Sequence, residues 1–216
     1  MERTIKIFLA SSEELKPERL AIAELITHLN YLWAGYGICL RLVKWEYLDS
    51  SMGAKHKQED YNEYLRECDM CVVLYWTKFG MYTEIELETA CQLLVSDNRM
   101  KQMAVMFKDE DNATPELKEF RKKFESQHTD ICFQFLNEAQ LKTLFIQQII
   151  NRIQLEVEIE HEKLKKNISK LQKILAITDE DDPDYKEYLH DFQSANRELE
   201  NNEGLISDLE RTASNI

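Results

Sequence analysis

From the first residues to about residue 135, short apolar runs alternate with amphipathic stretches. Thr4–Ala10 (TIKIFLA) is β-branched and apolar and predicts a buried strand. Ser11 to Glu14 (SSEE) suits the start of a helix, because serine caps and acids complement the positive end of the helix dipole. From Leu15 to about Ala34, apolar positions recur at helical spacing until Gly35 and Gly37 interrupt them. Ile38–Trp45 (ICLRLVKW) alternates like a strand with one partly exposed face. The polar stretch Asp49–Lys57 predicts a loop, and Gln58–Glu67 a short helix. Asp69–Trp76 (DMCVVLYW) is almost wholly apolar, which predicts a central parallel strand covered on both faces. A loop with Gly80, a helix over Thr83–Val95 capped by Thr83, a strand at Met103–Phe107, a helix at Pro115–Ser126 and a strand at Asp130–Phe135 complete the series.

This β-α-β-α-β-α-β-α-β order predicts an α/β fold. Right-handed crossovers give a flavodoxin-like five-stranded parallel sheet, order 2-1-3-4-5, with helices on both faces. Ligands of such sheets sit beyond the carboxyl ends of the strands at the switch point, here strands one and three. The loops after Ala10 and Trp76 are therefore the ones expected to carry chemistry.

From about Asn137 the texture changes. Leu141, Phe145, Ile149, Ile153, Val157, Leu164, Ile168, Leu171 and Leu175 recur at the three-, four- and seven-residue spacings of one helical stripe without Gly or Pro. This predicts one helix of about 40 residues, ~60 Å long, more than a sheet of this size needs. Its first turns are expected to close the sheet. Pro183 stops it, and Asp182 or Asp184 can cap the helix that follows from Tyr185 to about Leu209. The expected division is an α/β domain over 1–136 and a helical extension over 137–216. A helical hairpin or coiled coil, used for oligomerisation or attachment to a partner, fits that extension.

Charge and composition narrow the function. The 216 residues carry 27 basic and 40 acidic side chains, a formal net charge of −13. Twelve of the acids and three of the bases fall in residues 178–216, so much of the excess is local to the tail. A chain this acidic repels the phosphate backbone of nucleic acid and anionic membranes. No apolar run reaches the ~18–20 residues of a membrane span. The N-terminal run lacks the layout of a secretory signal, and the five cysteines lie mostly in apolar runs, so a reducing cytoplasm is expected. Cys68-x-x-Cys71 has no second pair at zinc spacing, the five histidines are scattered, and no P-loop or Gly-x-Gly-x-x-Gly is present. No metal and no bound cofactor are expected.

The stretch Gly80 to Ala90 (GMYTEIELETA) follows the most buried strand at the switch point. Glu84 and Glu88 share one helical face and Glu86 lies about 160° away, so the three carboxylates cannot converge. Acids at a helix start complement its dipole, and one in a cleft can also stabilise a developing cation or accept a proton. Ser11 and Ser12 either cap the first helix or bind ribose or pyrophosphate. Trp45, Trp76, Phe79 and Tyr82 either pack or stack on a planar ring. Lys78 is either a solvated loop lysine or a phosphate partner, and Glu46 and Asp49 stand near the end of strand two.

Ile5–Ser12 (IKIFLASS), the acid-rich helix starting EELKPERLAI, Leu42–Glu46 (LVKWE), Asp69–Trp76, and Thr83, Glu86 and Ala90 in the pattern Thr-x-x-Glu-x-x-x-Ala together resemble the TIR domain superfamily, above all the TIR-like domains of bacterial immune proteins. The resemblance runs from about Thr4 to Phe135. The Thr-x-x-Glu-x-x-x-Ala pattern is also similar to that of nucleoside deoxyribosyltransferases. In catalytic TIR domains a Glu with Ala four residues later cleaves the bond between nicotinamide and ribose of NAD. The resemblance puts that role on Glu86, with Glu84 as runner-up. It makes Ser11, Ser12, Trp45, Trp76, Lys78, Tyr82 and Thr83 the candidate contacts for NAD+ as substrate. The loop Asp49–Lys57 corresponds to the one that neighbouring subunits order in TIR assemblies. The Ser-x-x-Cys that usually precedes the catalytic Glu is absent here.

Three functions follow as expectations. The first is an NAD+ glycohydrolase controlled by oligomerisation, a bacterial antiphage effector that self-associates through the TIR-like domain and the C-terminal helices or joins a sensor or NTPase protein. The second is a non-catalytic module that signals through the same contacts, since fold alone does not fix function. The third is a nucleotide-binding enzyme of the deoxyribosyltransferase kind.

Overall fold

The computed structural model describes residues 3–44, 65–78, 81–96, 100–109 and 111–214, with the backbone alone described at 44, 81–86, 96 and 213. Five strands form one parallel sheet: β1 (Arg3–Ser11), β2 (Ile38–Lys44), β3 (Met70–Tyr75), β4 (Gln102–Lys108) and β5 (Cys132–Phe135). The sheet order is β2-β1-β3-β4-β5, the order that the alternation of strands and helices predicts. All four strand pairs are parallel, with Ile7 opposite Leu42 on one side of β1 and Leu9 opposite Val72 on the other.

The helices follow the chain order. They are α1 (Lys16–Trp33), α2 (Met81–Ser96), α3 (Pro115–Gln127), α4 (Glu138–Leu175) and α5 (Tyr185–Ala213). Short 3-10 turns at Glu13–Leu15 and Ala34–Tyr36 flank α1. Gly37 ends the second of these with φ 70°, a conformation glycine reaches without strain, and its N–H closes onto Ala34. The sequence-based helix over 58–67 lies outside the described residues except at its end, where Leu65 and Arg66 are helical and Glu67 is in a turn.

Every residue of β3 is buried, as its unbroken apolar run requires of a strand covered on both faces. Phe8 and Ala10 from β1, Val73 and Tyr75 from β3, Val105 and Phe107 from β4, and Leu87 and Leu93 from α2 pack into one core. Tyr75 stacks on Phe107 with centroids 5.4 Å apart. Thr114 caps α3 by accepting the Leu117 N–H, and Pro115 takes the first helical position, where no N–H is needed.

The chain divides into two compact units, 1–148 and 149–216, that meet within α4. The second unit holds most of α4, all of α5 and the turn between them. That turn contains Pro183, and Asp182 accepts the Asp184 N–H there. Asp184 occupies the position just ahead of α5, yet its side chain makes no capping bond. No helix among the described residues is long and apolar enough to cross a membrane.

Two local expectations change. Helix α2 begins at Met81, so Thr83 stands inside its first turn instead of capping it. Ser12 precedes the first 3-10 turn with extended backbone, but its hydroxyl donates to Glu14 and caps nothing. The acidic side chain two residues on is the stronger acceptor for that hydroxyl.

Candidate functional site

The sheet order reverses direction between β1 and β3, so the chain leaving these strands opens the mouth in which parallel α/β sheets bind ligands. Three stretches meet there: Ser11 to Glu14 after β1, Trp76 to Lys78 after β3, and Lys108 and Asp109 at the end of β4. Helix α2, which carries Glu84 and Glu86, starts only six residues beyond Tyr75.

The described side chains of this mouth grip one another. Glu14 is the hub. One carboxylate oxygen accepts the Thr77 N–H at 3.0 Å and the Ser12 hydroxyl at 3.0 Å, and the other accepts the Thr77 hydroxyl. Glu14, in the 3-10 turn ahead of α1, thus ties the end of β1 to the end of β3. Burial alone pushes the Glu14 carboxyl up, but hydrogen bonds from Thr77, Ser12 and the Lys78 N–H outweigh it and leave the carboxyl below its ordinary range. Glu14 is therefore an ionised anchor at neutral pH.

Arg19, one turn into α1, is fully buried among the polar groups of the same corner. Its guanidinium donates to the Ser11 hydroxyl at 2.8 Å and to the Ser12 carbonyl at 2.7 Å, and pairs with Glu13 at 3.3 Å. Such a fork satisfies the buried cation through several acceptors in one plane. Glu18, its neighbour on α1, forms an ion pair with Lys108 at the end of β4. The Lys108 ammonium also lies 3.9 Å from the centroid of the Trp76 ring, a cation–π contact.

The candidates from sequence separate accordingly. Ser11, Ser12, Trp76 and Lys78 come together at the mouth. The Ser11 and Ser12 side chains are engaged by Arg19 and Glu14. One face of Trp76 carries Lys108, while Lys78 is exposed. Glu84, Glu86, Tyr82 and Thr83 lie in the first turns of α2, where the backbone alone is described. Trp45, Glu46, Asp49 and the loop 49–57 lie outside the described residues, as does Phe79. Sequence reasoning passed over Glu14, Glu18, Arg19 and Lys108. The signal available for the first three was charge on the inward face of a helix leaving the switch point; Lys108, at the end of a strand, gave none.

Among the described residues the remaining titratable groups offer no other centre. Among the described residues no cluster of His, Cys, Asp or Glu is placed to hold a metal. The five cysteines form no disulfide, and Cys68 and Cys71 are fully buried. Burial, reinforced by the Glu125 carboxylate, raises the Cys132 thiol to about 11, so it is no thiolate at neutral pH.

The family described as a domain of unknown function (DUF4062) matches residues 6–163. No curated protein matches the chain. Among solved structures, a conserved protein from Enterococcus faecalis V583 is 14% identical, with 66% of this chain and 88% of that one covered and a TM-score of 0.32.

Proposed function

The chain belongs to that family, whose description assigns no activity, and from the switch-point mouth we propose that the α/β unit is an NAD+ glycohydrolase of the TIR kind, controlled by self-association. The observation that carries this reading is topological. In the order β2-β1-β3-β4-β5, the helix bearing Glu84 and Glu86 starts just past the carboxyl end of β3, next to β1. A ligand held in that mouth meets the start of α2, and Glu86 holds the place that the Thr-x-x-Glu-x-x-x-Ala pattern gives the catalytic carboxylate.

The reaction needs no metal. The bond between the ribose anomeric carbon and the nicotinamide nitrogen breaks, and its electron pair leaves with nicotinamide, which departs neutral. Positive charge grows on the ribose, and the Glu86 carboxylate stabilises that oxocarbenium character. Water then adds to the same carbon and gives up a proton, leaving ADP-ribose. Self-association through the helical unit supplies control, and the acidic tail keeps nucleic acid away.

The test is nicotinamide release from NAD+ at low and high protein concentration. The expected result is turnover that rises steeply with concentration and falls at least about 100-fold in Glu86→Gln, with oligomer size unchanged. A specific observation favours a second reading, a non-catalytic interaction module. Ser11, Ser12, Arg19, Glu14 and Thr77 satisfy one another across the mouth, as a purely structural corner would. Absence of nicotinamide at every concentration selects that reading, and a transferred base selects a deoxyribosyltransferase-like enzyme.

A further inference from the structure

Beside the satisfied hub of Glu14 lies a pair of groups that are not satisfied. Glu18 is 9% exposed, and one of its carboxylate oxygens, Oε1, takes the Lys108 ammonium. The other, Oε2, is buried with no hydrogen-bond partner. The Trp76 ring lies against the same ammonium, and its indole Nε1 is likewise buried without a partner. A buried acceptor and a buried donor are therefore left open around one lysine head, at the carboxyl ends of β3 and β4. An unmatched buried polar group is costly, and native proteins keep few of them.

We propose that Glu18 Oε2 and Trp76 Nε1 form a subsite for the hydroxyl groups of a sugar ring, the ribose of a nucleotide held in the switch-point mouth. The chemistry of the two atoms selects the ligand. An ionised carboxylate only accepts and an indole only donates. A hydroxyl group does both, and neighbouring ring hydroxyls can serve the two atoms in turn. The hydroxyl O–H donates to Glu18 Oε2, and a hydroxyl oxygen accepts the Trp76 N–H. Charge excludes the other polar ligands. Glu18 already neutralises Lys108, so the pair offers no net cation for a phosphate and no net anion for a metal.

Access is through Lys108. Its side chain is 20% exposed on a flexible four-carbon stem, and the rest of the pair is more deeply set. Shifting the stem while the ammonium keeps Glu18 Oε1 gives a ligand room at Oε2 and the indole N–H without undoing the charge balance. The resting protein thus keeps two unmatched groups under a movable plug, and a ligand matches both. This assignment moves the working part of Trp76 from its ring face, where sequence placed it, to its N–H edge.

The inference rests on reading the mouth as a nucleotide site, but not on cleavage. ADP-ribose is the probe, its binding measured by calorimetry to the full chain, to Trp76→Phe and to Glu18→Gln, with the melting temperature of each. Trp76→Phe removes the N–H together with the five-membered ring that carries it and leaves a smaller aromatic face for Lys108. It is expected to melt within a few degrees of the parent, because relief of an unmatched buried donor offsets the packing lost with the smaller ring. It is expected to bind ADP-ribose about 5- to 10-fold more weakly, the worth of one hydrogen bond. Glu18→Gln is expected to weaken binding at least as much. Unchanged affinity in Trp76→Phe overturns the proposal, as does a parent chain that fails to bind ADP-ribose. Nicotinamide release on the same samples separates the two ideas: weaker binding in Trp76→Phe with no cleavage of NAD+ by the parent removes the hydrolase and leaves the sugar subsite standing.

Discussion

The two units of this chain bury apolar surface in different ways. In the α/β unit, β3 is buried at every position, and β1 from Ile7 to Ser11 is buried without a break. Side chains from five elements, three strands and two helices, meet there in one core. In the helical unit, burial is a stripe. Ile149, Ile153, Val157, Ile168 and Leu171 on α4 and Ala195, Leu205 and Leu209 on α5 are buried, while Leu155, Ile159 and Ile177 are exposed. The polar chemistry differs as well. The α/β unit uses its buried charges in a connected network, Arg19 and Glu14 above all. The helical unit has Asn202, which reaches Glu160 at 3.5 Å, and ion pairs within single helices such as Arg152–Glu156. A layered core fixes atoms tightly enough to hold a ligand. A stripe fixes the register of helices and leaves surface for association.

The comparison breaks most visibly if a core truncation costs no more than a stripe truncation. Phe8→Ala in β1 removes a fully buried ring from a core closed on both sides, and a loss of about 3–5 kcal/mol is expected in urea unfolding. Leu209→Ala in α5 also removes a fully buried side chain, but from a two-helix stripe whose neighbours can close over the gap. A loss of about 2–3 kcal/mol, at the lower end for this change, is expected. Equal losses would mean that the helical unit is packed as tightly as the sheet. A further step down is Asn202→Leu, which exchanges a buried polar group with a long hydrogen bond for apolar volume. A change within about 1 kcal/mol is expected, together with a mixed oligomer distribution in size measurements if Asn202 sets helix register.

The same contrast explains what the sequence disclosed. Strands announce themselves when both faces are covered, and Asp69–Trp76 could be nothing else. The long helix is equally plain, because nine apolar residues on one helical stripe without Gly or Pro have one regular conformation. The sheet order followed from the short connections and from crossover handedness. The switch point followed from the order, and with it the places of Ser11, Ser12, Trp76 and Lys78. The polar network did not follow. Glu14 and Glu18 look like dipole-complementing acids at a helix start, and Lys108 looks like a strand end meeting solvent. Their partners lie 63 and 90 residues away in the chain, a separation that local periodicity does not encode. Ser12 and Thr83 misled for a related reason. A capping residue is recognised by type, while the cap forms only if no stronger acceptor stands nearby and the helix begins at the next residue.

The smallest effect is the most specific, because it belongs to the network alone. Glu14→Gln keeps size and one acceptor oxygen, but it loses the charge that Thr77, Ser12 and the Lys78 N–H favour. A cost of about 1 kcal/mol near neutral pH is expected, since the hydrogen bonds survive in weakened, uncharged form. The pH dependence carries the sign. The folded-state pKa of Glu14 lies below its unfolded value, so the unfolded chain takes up the proton first as pH falls. Its contribution is complete above the ordinary carboxylate range near 4.5 and is lost as pH drops through the lower folded value. The parent and Glu14→Gln should therefore differ most at pH 6–7 and converge toward pH 3, measured as the difference between their urea midpoints. A constant difference across that range would show that Glu14 acts through shape alone. Asn202→Leu measured alongside removes no ionisable group, so the two curves side by side set the charged corner of the sheet against the seam of the helices.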